Sequence, residues 1–144
     1  MSHRAFHKRL FWILLVVPLC LDFASCGHGD YFEKYYGELT IEPNEIALGK
    51  RASVTVHVVK RDKISPAVGV NVWLSSYRNY TSKVDFIDQP EGDTDSDGLA
   101  VAQIASSVDG QTVLSVILQG TDLCDMHSEQ SCYPLTGELF FFKP

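Results

Sequence analysis

The sequence predicts an all-β fold, an antiparallel sandwich of two sheets. Three observations carry that expectation. Residues 52–59, ASVTVHVV, alternate so that Ala52, Val54, Val56 and Val58 share one face. Such period-two alternation of β-branched residues marks a strand with one buried side. Similar short segments recur along the chain between turns rich in Gly, Pro, Asn and Asp. Beyond an N-terminal apolar run, no segment sustains a helical period.

Taken in order, the elements begin after Gly37. Leu39–Ile41 and Ile46–Leu48 are short apolar pieces parted by Pro43-Asn44. The 52–59 strand follows, then a charged turn, Lys60-Arg61-Asp62-Lys63, ending near Pro66. Val68, Val70, Val72 and Leu74 are assigned one face of the next strand, with Asn71, Trp73 and Ser75 on the other. Val84 and Phe86 mark a shorter strand. Residues 92–98, GDTDSDG, form a turn, and Ala100, Ala102 and Ile104 define the next buried face. After Asp109-Gly110, residues 112–118 read as a nearly continuous apolar strand, and 137–142 close the chain. About seven strands at this spacing over roughly 100 residues imply an immunoglobulin-like sandwich. It has no cysteine pair placed to join the two sheets, so cohesion falls to apolar burial.

Residues 1–25 read as a signal peptide. Arg4, His7, Lys8 and Arg9 precede the run LFWILLVVPLCL, and small residues follow at Ala24-Ser25. The run is shorter than the roughly 20 apolar residues of an ordinary membrane span, and Pro18 interrupts it. Phe23-Ala24-Ser25-Cys26 resembles a bacterial lipobox, although Phe23 stands where an aliphatic residue is usual. That resemblance implies acylation of Cys26 and an outer-membrane lipoprotein of a bacterial cell envelope. The alternative is a cut after Cys26 or Gly27 and a soluble periplasmic or secreted protein. Residues 26–36 are a lead-in tether with Tyr31, Phe32, Tyr35 and Tyr36, and 37–144 the sandwich.

Four cysteines are present. Cys20 leaves with the signal peptide, and acylated Cys26 leaves Cys124 and Cys132 as a pair. In an oxidising compartment a disulfide between them is expected. A metal site of Cys124, His127 and Cys132 offers only three ligands and is the lesser reading.

Loss of Arg4, Lys8, Arg9 and Asp22 moves the net charge from −6 to −8. So acidic a domain lacks the basic footprint of a nucleic-acid binder. Anionic lipid should repel it, so membrane attachment is expected through a lipid anchor only. Asp93, Asp95 and Asp97 with Gly98 imitate the start of a calcium loop, but the twelfth position is Ile104, where a glutamate is required. Backbone hydrogen bonding by these aspartates is the simpler reading. No catalytic set or cofactor motif is present: the chain has no Gly-x-Ser-x-Gly or His-Glu-x-x-His, and no histidine has a partner in the sequence. Asn79-Tyr80-Thr81 is formally a glycosylation sequon and is read as a polar turn.

Three segments in order carry a wider resemblance. They are ASVTV at 52–56, PAVGVNVWLSS at 66–76 and TDSDGLAVA at 94–102. Together they resemble the bacterial immunoglobulin-like domains of the invasin and intimin group over about residues 38–120. The resemblance implies a sandwich exposed outside the cell or in the periplasm, serving as spacer or adhesive tip. Such domains are usually tandem, and the cysteine loop lies outside the matched part, so host-receptor binding does not transfer. The expected function is non-catalytic contact with another envelope protein or a surface glycan. The alternatives are a structural or accessory subunit of an envelope assembly, or a carbohydrate or small-ligand binding module. Binding candidates are Trp73 with Tyr77 and Tyr80, and Met126 and His127 in the cysteine loop.

Overall fold

The computed structural model describes residues 34–128, 132 and 134–144. The segment read as a signal peptide, Cys26, Tyr31 and Phe32 lie outside the described residues. Among the described residues no helix is long and apolar enough to cross a membrane.

Among the described residues, ten strands and one short helix follow in order: β1 (Tyr35–Glu42), β2 (Glu45–Ala47), β3 (Ala52–Val59), β4 (Asn71–Ser76), α1 (Asn79–Ser82), β5 (Asp85–Ile87), β6 (Glu91–Asp93), β7 (Leu99–Ser106), β8 (Gly110–Leu118), β9 (Leu123–Asp125) and β10 (Leu135–Phe142). They form two five-stranded sheets, β5-β7-β3-β1-β9 and β2-β10-β8-β4-β6. The sandwich is the all-β, immunoglobulin-like architecture expected. The strand count exceeds seven because several edge pieces are three residues long. Two of them, β9 beside β1 and β2 beside β10, pair in parallel; every other pairing is antiparallel.

The first strand starts at Tyr35 rather than Gly37, and the Tyr35 ring packs against the core. At Pro43-Asn44 the chain leaves the first sheet for the second, where Asn44 O accepts the Phe140 N–H at 2.8 Å. Inward positions of β3 (Ala52, Val54, Val56, Val58) meet those of β7 (Ala100, Ala102, Ile104) edge to edge and those of β8 and β10 across the sandwich. Phe141 is the largest wholly buried side chain among the described residues.

One sequence expectation fails, for a tertiary reason. Val68 does not share the face of Val72 and Leu74; it is exposed on the β3–β4 connection, since β4 begins only at Asn71. The short strand marked by Val84 and Phe86 is present as β5, but neither residue supplies its buried face. Asp85 does, while Phe86 is 59% exposed. The phase inverts because a guanidinium waits inside for the carboxylate.

Candidate functional site

That guanidinium belongs to Arg78. Its Nη2 lies 2.5 Å from Asp85 Oδ1 and its Nε donates to Oδ2 at 3.1 Å, a two-point clamp. The Asp85 side chain is 0% exposed and that of Arg78 17%. Thr112 Oγ1 donates to Oδ2 at 2.9 Å and Ser76 Oγ also donates to it. Arg78 spends its other donors on Ser106 Oγ and on the carbonyls of Val108 and Asp109. Burial pushes the Asp85 carboxyl up, but the hydrogen bonds from Arg78, Ser76 and Thr112 outweigh it and hold the group below the ordinary carboxylate range. Asn79 clamps the same residue through the backbone, accepting from Asp85 N at 2.9 Å and donating to Asp85 O at 2.7 Å. The sequon asparagine is therefore a structural bracket. An open hollow of about 660 Å³ adjoins the network, lined by Asn79, Lys83, Val84, Phe86, Ala105 and Ser107 among others. Asn79 and the buried groups at its floor are already hydrogen-bonded to one another, so the network holds two sheets and a loop together.

At the opposite end, the aspartate-rich turn is likewise structural. Asp95 Oδ1 accepts the N–H groups of Asp97 and Leu99, each at 2.9 Å. Asp93 takes the Asn71 side-chain amide at 3.0 Å. No group of three or more His, Cys, Asp or Glu among the described residues is placed to hold a metal ion. Thr94 is buried and plugs the sandwich: its hydroxyl donates to Ala67 O at 2.5 Å and accepts from Val70 N at 2.9 Å. Gly98 has φ +77°, and a Cβ there would stand 2.3 Å from Val58 O. Glycine alone fits both the conformation and the approach.

Cys124 and Cys132 are joined in a disulfide. Cys124 is buried and stands opposite Tyr36 in the β1–β9 pairing. Met126 is half-buried, its N–H donating to Gly37 O at 3.0 Å. His127 is exposed; Asp125 Oδ1 accepts its backbone N–H at 2.8 Å, and its ring lies 3.6 Å from Glu38.

Trp73 is 42% exposed on the outer face of β4, in register with Ile117, itself 47% exposed, and with Glu91 on the edge strand. Its indole N–H donates to Asn71 Oδ1, so the chain Asp93, Asn71, Trp73 fixes the ring's orientation. Phe140 and Phe142 expose further apolar surface on the outer face of β10. The first sheet turns outward chiefly Glu38, Thr40, Glu42, Ser53, Thr55, His57 and Gln103, with Val101 and Phe86 as its exposed apolar side chains. Tyr77 and Tyr80 are exposed past the far end of β4, edge to face at 6.2 Å. Thus Trp73 stands apart from both Tyr77 and the cysteine loop, and the candidates do not converge on one cleft. Ile117 escaped the sequence reading because it lies inside a run of apolar residues, where only register separates inward from outward.

No family model matches the chain, and no curated protein matches it. Solved structures do. The Yersinia pseudotuberculosis adhesin InvE is 16% identical with a TM-score of 0.59, covering 76% of this chain and 32% of that one. The D0-D1 domain of intimin is 16% identical with a TM-score of 0.57, covering 74% and 47%. A glycosyl hydrolase family 2 member from Bacteroides cellulosilyticus is 12% identical with a TM-score of 0.55, covering 78% and 14%. The chain spans less than half the length of each. At such identities the likeness is one of fold: an immunoglobulin-like sandwich of the kind found in the intimin and invasin adhesins.

Proposed function

We propose that this protein is a non-catalytic interaction module of a bacterial cell envelope, exported and held at a membrane by acylation of Cys26. It presents the outer face of the second sheet, centred on Trp73, to another envelope protein or a surface glycan. The observation that carries this reading is the oriented, exposed indole beside Ile117, on a face more apolar than that of the first sheet. Buried polar groups elsewhere are consumed in holding the fold, which leaves the exposed surface to carry specificity. The Cys124–Cys132 loop with Met126 and His127 is a second, separate contact region.

The test is recovery of partners from envelope extract with the acylated protein. Trp73→Ala is expected to lose the bound partner with a thermal midpoint shift of no more than about 2 °C. An unchanged partner profile would move the contact to the cysteine loop. A structural or accessory role is the alternative, favoured by one finding: in the glycosyl hydrolase the matched region is a small part of a larger protein. Under that reading the chain would co-purify in a fixed ratio with one large assembly.

A further inference from the structure

Composition makes this chain acidic, yet the fold gathers much of its basic charge in one place. Lys60, Arg61 and Lys63 stand on the β3–β4 connection, and Lys34 immediately precedes β1. Lys63 Nζ lies 4.6 Å and Lys34 Nζ 5.5 Å from the centre of the Tyr36 ring. Lys63 also reaches Met126 O at 3.4 Å, which ties the connection to β9. The acid within the loop is turned to its own backbone. Asp62 accepts from Ile64 N at 2.9 Å, Ser65 N at 2.8 Å and Ser65 Oγ at 2.5 Å. Those bonds lower its pKa to about 2, so it stays ionised and the loop keeps this shape across the physiological range. Lys63 adopts φ 59°, a left-handed conformation that lysine rarely takes. Between these charges the loop displays Ile64, 84% exposed, and Val68 follows, also exposed. Ile64 is the most exposed large apolar residue described, and its backbone is pinned by Asp62.

The other acids of this end are placed or occupied differently. Asp95 and Asp97 stand on the β6–β7 turn, which packs against the Val68 end of the connection through Thr94 and Gly98, whereas Lys63, Tyr36 and Met126 lie toward β1 and β9. Asp125 accepts from His127 N and Glu38 faces the His127 ring; Asp122 remains beside the start of β1, its carbonyl accepting from Tyr35 N. This is also the end at which the chain enters the sandwich. Cys26 lies eight residues before Lys34, a reach of at most about 30 Å when extended.

We infer that the 60–68 connection is a membrane-docking loop, seating Ile64 and Val68 at the headgroup boundary of an anionic bilayer while Lys34, Lys60, Arg61 and Lys63 meet the lipid phosphates. The inference rests on the lipid anchor proposed above. An anchor holds the loop at high effective concentration beside the bilayer, so weak contacts suffice to orient the domain. Docked in this way, the outer sheet faces stand free and the opposite end points away from the membrane.

The test uses the acylated full chain carrying Ile64→Trp with Trp73→Phe, so that the only indole outside the signal peptide reports on the loop. The protein is placed in vesicles of phosphatidylcholine with or without phosphatidylglycerol, with bromine on the acyl chains. In anionic vesicles about a twofold loss of emission is expected, as for a side chain at the headgroup–acyl boundary. Lys60→Gln with Lys63→Gln should restore the emission, and so should removal of the anionic lipid. Protein that floats with the vesicles yet shows equal emission in all of them overturns the docking alone. Protein that does not float, with an unmodified N-terminus by mass, overturns the anchor and the docking with it.

Discussion

The two ends of the sandwich are closed by opposite chemistry. At the α1 end a carboxylate and a guanidinium are buried together, with Ser76, Thr112 and Ser106 around them. At the far end no ion pair is buried among the described residues. A neutral threonine, a left-handed glycine and a disulfide do the closing. The difference lies in how each device fails. A buried ion pair is stable only while both partners remain, because either one alone is a desolvated charge. A disulfide and a tight turn have no such coupling: each acts on its own part of the chain.

The largest expected effect tests the paired end. Asp85→Ala strands Arg78 and should cost about 3–5 kcal/mol in chemical denaturation. Replacing Arg78 and Asp85 together by apolar residues should cost much less than twice that. Additive losses would break the comparison. The pair also sets an acid limb. The folded-state pKa of Asp85 lies below its unfolded value, so its contribution is fully present above the unfolded pKa, near 3.9, and fades as pH falls through the folded value. Asp85→Asn should therefore flatten the stability profile below about pH 4.

Next comes the turn. Gly98→Ala sets a Cβ against a backbone carbonyl that cannot rotate away, at a φ that alanine disfavours. A loss of roughly 2–4 kcal/mol is expected, read as a lowered denaturation midpoint. A loss below about 1 kcal/mol would show that the β3 and β6–β7 backbones separate easily at this end.

The smallest of the three is the disulfide. Cys124→Ser should cost about 2–3 kcal/mol, the loop-closure value for so short a ring, and leave a folded sandwich. Non-reducing peptide mapping gives the companion measurement. Unfolding of the whole domain would mean that β9 is essential to the first sheet rather than an edge added to it.

How much of this was legible beforehand depends on the element. The valine stripe of β3 and the alanine stripe of β7 were readable because a side chain's face in a strand follows from parity alone. Thr94 and Gly98 were visible within the 94–102 segment, although their partners, Ala67 O and Val58 O, were not. The face of β5 was not legible. Parity offered Val84 with Phe86 against Asp85, and the sequence marked a strand there without assigning its face. Nothing local to residues 84–86 reveals that Arg78 and Thr112 meet there. Val68 was misplaced because the strand boundary fell three residues later than its pattern implied.

The sequence by itself determined the all-β class, the inward faces of the long strands and the order of the turns. Each is a local property, set by the parity of apolar residues or by the backbone freedom of glycine and proline. Only the tertiary structure decided where charge resides. It buries Asp85 against Arg78, ties the exposed carboxylates of Asp62 and Asp95 to their own loop backbones, and gathers Lys60, Arg61 and Lys63 around Ile64. Composition counts these groups equally. Electrostatic energy depends on distance and on exclusion of water, which exist only once the chain has folded.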